Sequence, residues 1–240
     1  MLLIYFFAGF ISLIGGFLGH HPLVFRLEKI NKSNSLNSGL AVAFVFTLLM
    51  TAYYVGYFPH TVAAPFMIFI YSFLAGFFTG YAWRLFQLRV DTGHILYMHR
   101  SFWIDHAPTF AAILIILYGL YRTSLLLEQP VTGIRMASGL SLIAFGFFGL
   151  TLKIIPEFRS GGVLFLDRVI PWRQIMGWSW QSEEIINIEY LHKPGEAGEQ
   201  VRELLTTIPL EDRKQIETVL ESKMDEHRDE RRKMLLDNRE

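Results

Sequence analysis

Val62–Trp83 reads VAAPFMIFIYSFLAGFFTGYAW: 22 residues with no charged side chain and no polar side-chain group beyond Ser, Thr and Tyr hydroxyls and the terminal Trp83 indole N–H. A helix rises about 1.5 Å per residue and a bilayer core is about 30 Å thick, so about 20 such residues cross it. This stretch predicts a membrane-spanning helix. Four more flank it: Leu2–Leu18, Leu40–Phe58, Phe110–Leu127 and Ile134–Leu152. None contains Asp, Glu or Lys, and Arg occurs only toward their ends. The first is expected to be retained, because no basic residue precedes it and His20-His21-Pro22 replaces a small-residue cleavage site.

Basic residues in the connections set an orientation. Arg26, Lys29 and Lys32 follow the first stretch, and Arg84, Arg89 and Arg100 follow the third. Pro59-His60-Thr61 carries none, and the last connection has only Arg122 and Arg135 at its borders. The alternation predicts an outside N-terminus and a cytoplasmic tail, with the bacterial inner membrane as the expected location.

The tail differs in character. Pro156 disfavours continuing the last helix and sets the expected boundary between a membrane domain at 1–155 and a tail domain at 156–240. Gly162–Leu166, turning at Asp167-Arg168 into Val169–Trp172, reads as two strands. Gln174–Gln181 and Glu184–Leu191 alternate at period two, with Ile186, Ile188 and Tyr190 on one face. Pro194–Gly198 reads as a hairpin loop returning through Val201–Ile208. Pro209 opens a helix with Glu211 and Asp212 in its first turn and Ile216, Val219, Leu220 and Met224 as its apolar stripe. Asp225–Lys233 is almost wholly charged and is expected to extend into solvent.

Gly93–Phe102 aligns with Gly161–Ile170, sharing the glycine, the leucine and the arginine. Each copy follows a helix pair. A duplicated unit explains this, as does the general likeness of strand-turn-strand segments. Duplication predicts a β-hairpin-like segment at 86–106 that pairs with the tail domain or caps its edge.

Residues 160–224, with Gly162-Val163-Leu164-Phe165, Ile170–Ile175 and Ile208-Pro209 before a helix, resemble the bacterial pleckstrin-homology-like domains found behind transmembrane helices. The resemblance implies a bent antiparallel sheet closed by a C-terminal helix, and a role in membrane-linked assembly and protein binding. It implies no catalytic residues. The expected fold class is thus a five-helix membrane all-α domain with a small cytoplasmic PH-like α+β domain.

Candidate sites follow from the residue types. Ser12 and Gly16 on the first stretch, and Ser72, Gly76 and Gly80 on the third, lie four apart, the spacing that lets helix backbones approach in lipid. They are expected to pack helices, within the chain or against another subunit. His20, His21, His94, His99 and His106 fall on the side predicted to be cytoplasmic. Such a cluster is the one place for an interfacial metal, haem or chlorin. Paired histidine boxes and mid-helix histidines are absent, so no cofactor is predicted, and hydrogen bonding at the interface is the expected role. Trp172, Trp178 and Trp180 are expected in the tail's core or at an interface.

No phosphate loop, dinucleotide fingerprint, zincin motif or nucleophile elbow occurs. With 22 Lys+Arg against 22 Asp+Glu, nothing favours nucleic acid as a partner. The chain has no cysteine. No charge lies mid-stretch, which argues against proton- or ion-coupled transport. The expectation is a non-enzymatic accessory, assembly or scaffold subunit of a membrane complex, with lipids and other membrane subunits as partners. The alternative is a homo-oligomeric channel or lipid-handling protein lined by Ser12, Thr47, Thr51, Ser72 or Thr79.

Overall fold

The computed structural model describes residues 2–22, 24, 32–99, 102–123, 131–153, 155–192 and 200–237. The chain divides into two units, residues 1–86 with 102–152 and residues 87–101 with 153–240.

The first unit is helical. It holds α1 (Leu2–His20), α2 (Lys32–Val55), α3 (His60–Asp91), α4 (Phe102–Arg122) and α5 (Gly133–Thr151). Among the described residues, three helices are long and apolar enough to span a membrane: α1 over Leu3–His20, α3 and α5. At about 1.5 Å per residue the 32 residues of α3 extend about 48 Å, well beyond a hydrocarbon core. The division between the units falls inside α3, whose residues from 87 onward belong to the second unit.

Packing in this unit is inverted relative to a water-soluble bundle. The buried residues of α5 are all small: Ala137, Ser138, Gly139, Ser141, Ala144 and Gly146. On α1, Phe6, Phe10, Leu13 and Phe17 are exposed while Ala8, Gly15 and Gly19 are buried. Water would penalise that arrangement, whereas lipid tails solvate the large side chains and small ones let backbones touch. A Cβ on Gly76 would fall on the Ser12 carbonyl oxygen, and one on Gly80 on the Gly16 carbonyl oxygen. Gly119 and Gly139 bring α4 against α5 in the same way. Phe78 of α3 meets Phe145 and Phe148 of α5 with ring centroids 4.9 and 5.5 Å apart. Ala8, Ile68 and Ala137 join α1, α3 and α5 in one buried cluster. This composition and packing are consistent with a membrane protein.

The second unit is a β structure with C-terminal helices. One antiparallel sheet has the order β1 (Ile95–Met98), β2 (Glu157–Arg159), β3 (Gly162–Phe165), β4 (Arg168–Pro171). A 3-10 turn at Trp172–Gln174 leads into a second sheet of β5 (Ile175–Trp180), β6 (Ile185–His192) and β7 (Gln200–Thr207). Another 3-10 turn, Leu210–Asp212, precedes α6 (Arg213–Glu226) and α7 (Arg228–Asp237). Phe158, Val163, Ile170, Trp172, Ile186, Ile188, Tyr190, Ile216 and Leu220 form the core. The period-two face of β6 and the four-residue spacing on α6 both point into it, which is what those patterns demand.

Two expectations are corrected, and one strand is added. The segment at 86–106 is not a hairpin: it supplies the single strand β1, and by Phe102 the chain is already in α4. The ladder of β1 is formed with β2, Met98 opposite Glu157 and Tyr97 opposite Phe158, so no second local strand is needed to pair it. Glu157–Arg159, to which the sequence reading assigns no element, is a strand with all three residues buried. The charged extension does not run on as one solvated helix. It breaks at His227 (φ −102°, ψ 17°), and α7 returns Arg231 Nη1 to within 3.2 Å of the Ile175 carbonyl. The loop predicted at Pro194–Gly198 lies outside the described residues, though Leu191 opposite Val201 shows the strands it joins to be antiparallel neighbours.

Candidate coupling site at the end of α3

Helix ends leave carbonyl groups without intrahelical partners and carry partial negative charge. At the end of α3, Gly93 takes φ +81°, a conformation that costs glycine little and other residues more, and the helix stops. Gly93 N–H reaches the Val90 carbonyl at 3.2 Å, and Thr92 N–H the Leu88 carbonyl at 3.1 Å. The carbonyls that remain are met by β2 and the turn after it. Arg159 Nη1 donates to the Arg89 carbonyl at 2.9 Å and to the Gly93 carbonyl at 2.7 Å. Ser160 N–H donates to the His94 carbonyl (3.0 Å) and Gly161 N–H to the Thr92 carbonyl (2.9 Å).

Glu157, two residues back on the same face of β2, neutralises the guanidinium. Its Oε2 accepts from Arg159 Nε at 2.8 Å and lies 2.6 Å from Nη2. Both side chains are buried. An isolated charge here would be costly, and the pair with its carbonyl partners satisfies every guanidinium nitrogen. Trp172 Nε1 donates to the Arg159 carbonyl at 2.9 Å, tying β2 to the start of the second sheet. On the other side, buried Tyr97 of β1 donates its hydroxyl to Asp212 Oδ2 at 3.0 Å. Burial and that hydrogen bond push the Tyr97 phenol well above its ordinary range. The arrangement has no nucleophile–base pair. What it does chemically is clamp the end of a long helix to a sheet.

The residues singled out by sequence are placed as follows. Trp172 is 1% exposed in the core, so its ring offers no surface. Trp178 and Trp180 are half-buried against the same core. Trp180 Nε1 donates to Glu217 Oε1 at 2.8 Å while the Arg213 guanidinium lies 4.5 Å from its ring centroid. Arg213 first, and then the indole, hold the Glu217 carboxyl below its usual range. Gly16, Gly76 and Gly80 meet between α1 and α3 with Ser12, and Ser72 is half-buried on α3.

His20 is exposed at the end of α1, the His21 ring lies 5.7 Å from that of Phe17, and His106 is exposed on α4. His94 and His99 belong to the second unit. Among the described residues no group of three His, Asp or Glu is placed to hold a metal ion. Thr51 and Thr79 donate their hydroxyls to the Thr47 and Ala75 carbonyls of their own helices at 2.9 and 2.7 Å. That is how a hydroxyl is satisfied in an apolar setting.

Glu157, Arg159, Tyr97 and Asp212 were not legible as a site. The only hint was the shared glycine of the repeat, since Gly93 and Gly161 both lie at this joint.

Residues 154–225 are a DUF5673 domain, matching the family described as "Domain of unknown function (DUF5673)". No curated protein and no solved structure matches the chain. The match takes in β2 to β7 and most of α6, but not β1 or the end of α3. The DUF5673 domain is therefore completed by chain from between two membrane-unit helices: β1 supplies the outer strand of its first sheet, and Tyr97 enters its core.

Proposed function

We propose that this protein is a multi-pass subunit that assembles or scaffolds a larger membrane complex. Its DUF5673 domain is the cytoplasmic docking module. The observation that carries this reading is the clamp of Arg159 and Glu157 on the last carbonyls of α3. The clamp lies wholly within the second unit and joins the two chain segments, 87–101 and 153–240, from which that module is built, and such a self-contained module suits a docking role. The partition into four plus three antiparallel strands followed by a helix supports a PH-like fold for the module. Five apolar stretches and the alternation of basic connections support five crossings, an outside N-terminus and a bacterial inner membrane.

Mild detergent extraction of a tagged full-length chain tests the assignment. Stoichiometric co-purification of other membrane proteins, lost on Arg159→Met, is the expected outcome. A chain that purifies alone, with every membrane complex unchanged in its absence, overturns it. A homo-oligomer with no other component would instead favour a channel or lipid-handling role.

A further inference from the structure

Asp212 stands at the N-cap of α6, where an aspartate ordinarily accepts a hydrogen bond from a first-turn N–H. Its side chain makes no such bond. Oδ2 accepts from the Tyr97 hydroxyl instead, and the same oxygen lies 3.9 Å from Nδ1 of His99, just past the end of β1. That nitrogen is buried and has no hydrogen-bond partner. The two side chains remain partly accessible, 19% for His99 and 31% for Asp212.

We propose that His99, Asp212 and Tyr97 form a pH-sensitive latch holding β1, and with it the segment between α3 and α4, against α6. A neutral imidazole at 3.9 Å contributes little. A protonated one faces a carboxylate and closes an ion pair on it. Histidine changes charge between about pH 5 and 8, so the latch tightens through that range as pH falls. Among the described residues, the other charges nearby are committed elsewhere or act in the same sense. Glu211, beside Asp212 in the same turn, adds negative potential of the same sense. Glu157, opposite Met98 across the ladder, is committed to Arg159, and Arg213 is committed to Glu217. When β1 is released, the Asp212 carboxylate is free to cap α6, giving the released state a partner for the same group. The latch goes beyond the scaffold assignment and operates whatever the protein assembles with.

Hydrogen–deuterium exchange on the full-length chain in lipid nanodiscs tests it, read on the amides of residues 95–98. Comparing His99→Gln with the parent chain at each pH cancels the intrinsic pH dependence of exchange. The expected ratio is roughly two- to fivefold faster exchange in H99Q at about pH 5.5, falling to about one at about pH 8. Asp212→Asn should erase the difference, so that D212N and D212N/H99Q exchange alike. Tyr97→Phe should speed exchange at every pH while leaving the pH-dependent histidine effect in place. A ratio that does not change with pH overturns the latch. So does a histidine effect that survives intact in D212N.

Discussion

Arg159 Nη1 donates to the carbonyl oxygen of Gly93 at 2.7 Å, joining β2 to a residue 66 positions upstream at the end of α3. The bond links the two chain segments from which the second unit is built. Because the guanidinium also meets Glu157 and Arg89 O, the joint is an ion pair and a helix cap at once.

Removing one member should therefore cost more than a surface charge would. Arg159→Met leaves Glu157 buried and unpaired and uncaps α3, an expected loss of about 3–5 kcal/mol. Arg159→Met combined with Glu157→Leu should recover a large part of it, because no charge then remains buried without a partner. Denaturation of the full chain in mild detergent, followed by tryptophan fluorescence, measures both. A single variant as stable as the parent would refute the role given to the pair.

Two glycines, Gly76 on α3 and Gly9 on α1, offer a contrast. Gly76 has the Ser12 carbonyl where a Cβ would go, whereas nothing lies within 4 Å of a Cβ on Gly9. Gly76→Leu should lower the thermal stability of the detergent-solubilised chain by about 1–3 kcal/mol or more through forced separation of the backbones. Gly9→Ala should be near neutral. Equal melting of the two variants would mean that α1 and α3 do not approach as described.

A DUF5673 domain excised at residues 154–225 should be defective in a specific way. It loses β1, leaving β2 an open edge with Phe158 uncovered and the Tyr97 site in the core vacant. The excised domain is expected to aggregate or to bind hydrophobic dyes. Fusing Gly93–His99 to its N-terminus through a flexible linker should restore a monomer on gel filtration. A well-behaved monomer without the added strand would show that β1 is dispensable.

Tyr97 makes stability sensitive to high pH. Its phenol is pushed upward, first by burial and then by Asp212, so the folded state holds the proton more tightly than the unfolded chain. That contribution is complete below about pH 10, where an unfolded tyrosine titrates, and is lost as pH rises further. The parent chain should lose stability above about pH 10 more steeply than Tyr97→Phe does. Parallel alkaline unfolding curves for the two would contradict the burial of the hydroxyl.

Much of the architecture could be read directly, and the reason is periodicity. Runs such as Val62–Trp83 carry their meaning in length and composition alone, and the alternation at Ile186, Ile188 and Tyr190 announces a half-buried strand. Gly76 and Gly80 lie four apart and so share one helix face, and a Cβ on either would meet a carbonyl of α1. The strand β2 gave no such signal: it is three residues long, and its two charged residues look like linker until each is seen to neutralise the other.

The sequence by itself determined which segments are apolar enough for lipid and where the β-rich tail begins, because these are sums over neighbouring residues. Only the tertiary structure decided that β1 belongs to the tail's first sheet, that Trp172 is core, and that Arg159 caps α3. The placement of β1 and the cap on α3 rest on contacts between groups some 60 to 115 positions apart, and the Trp172 indole bonds the Arg159 carbonyl 13 positions back; local pattern holds no record of either.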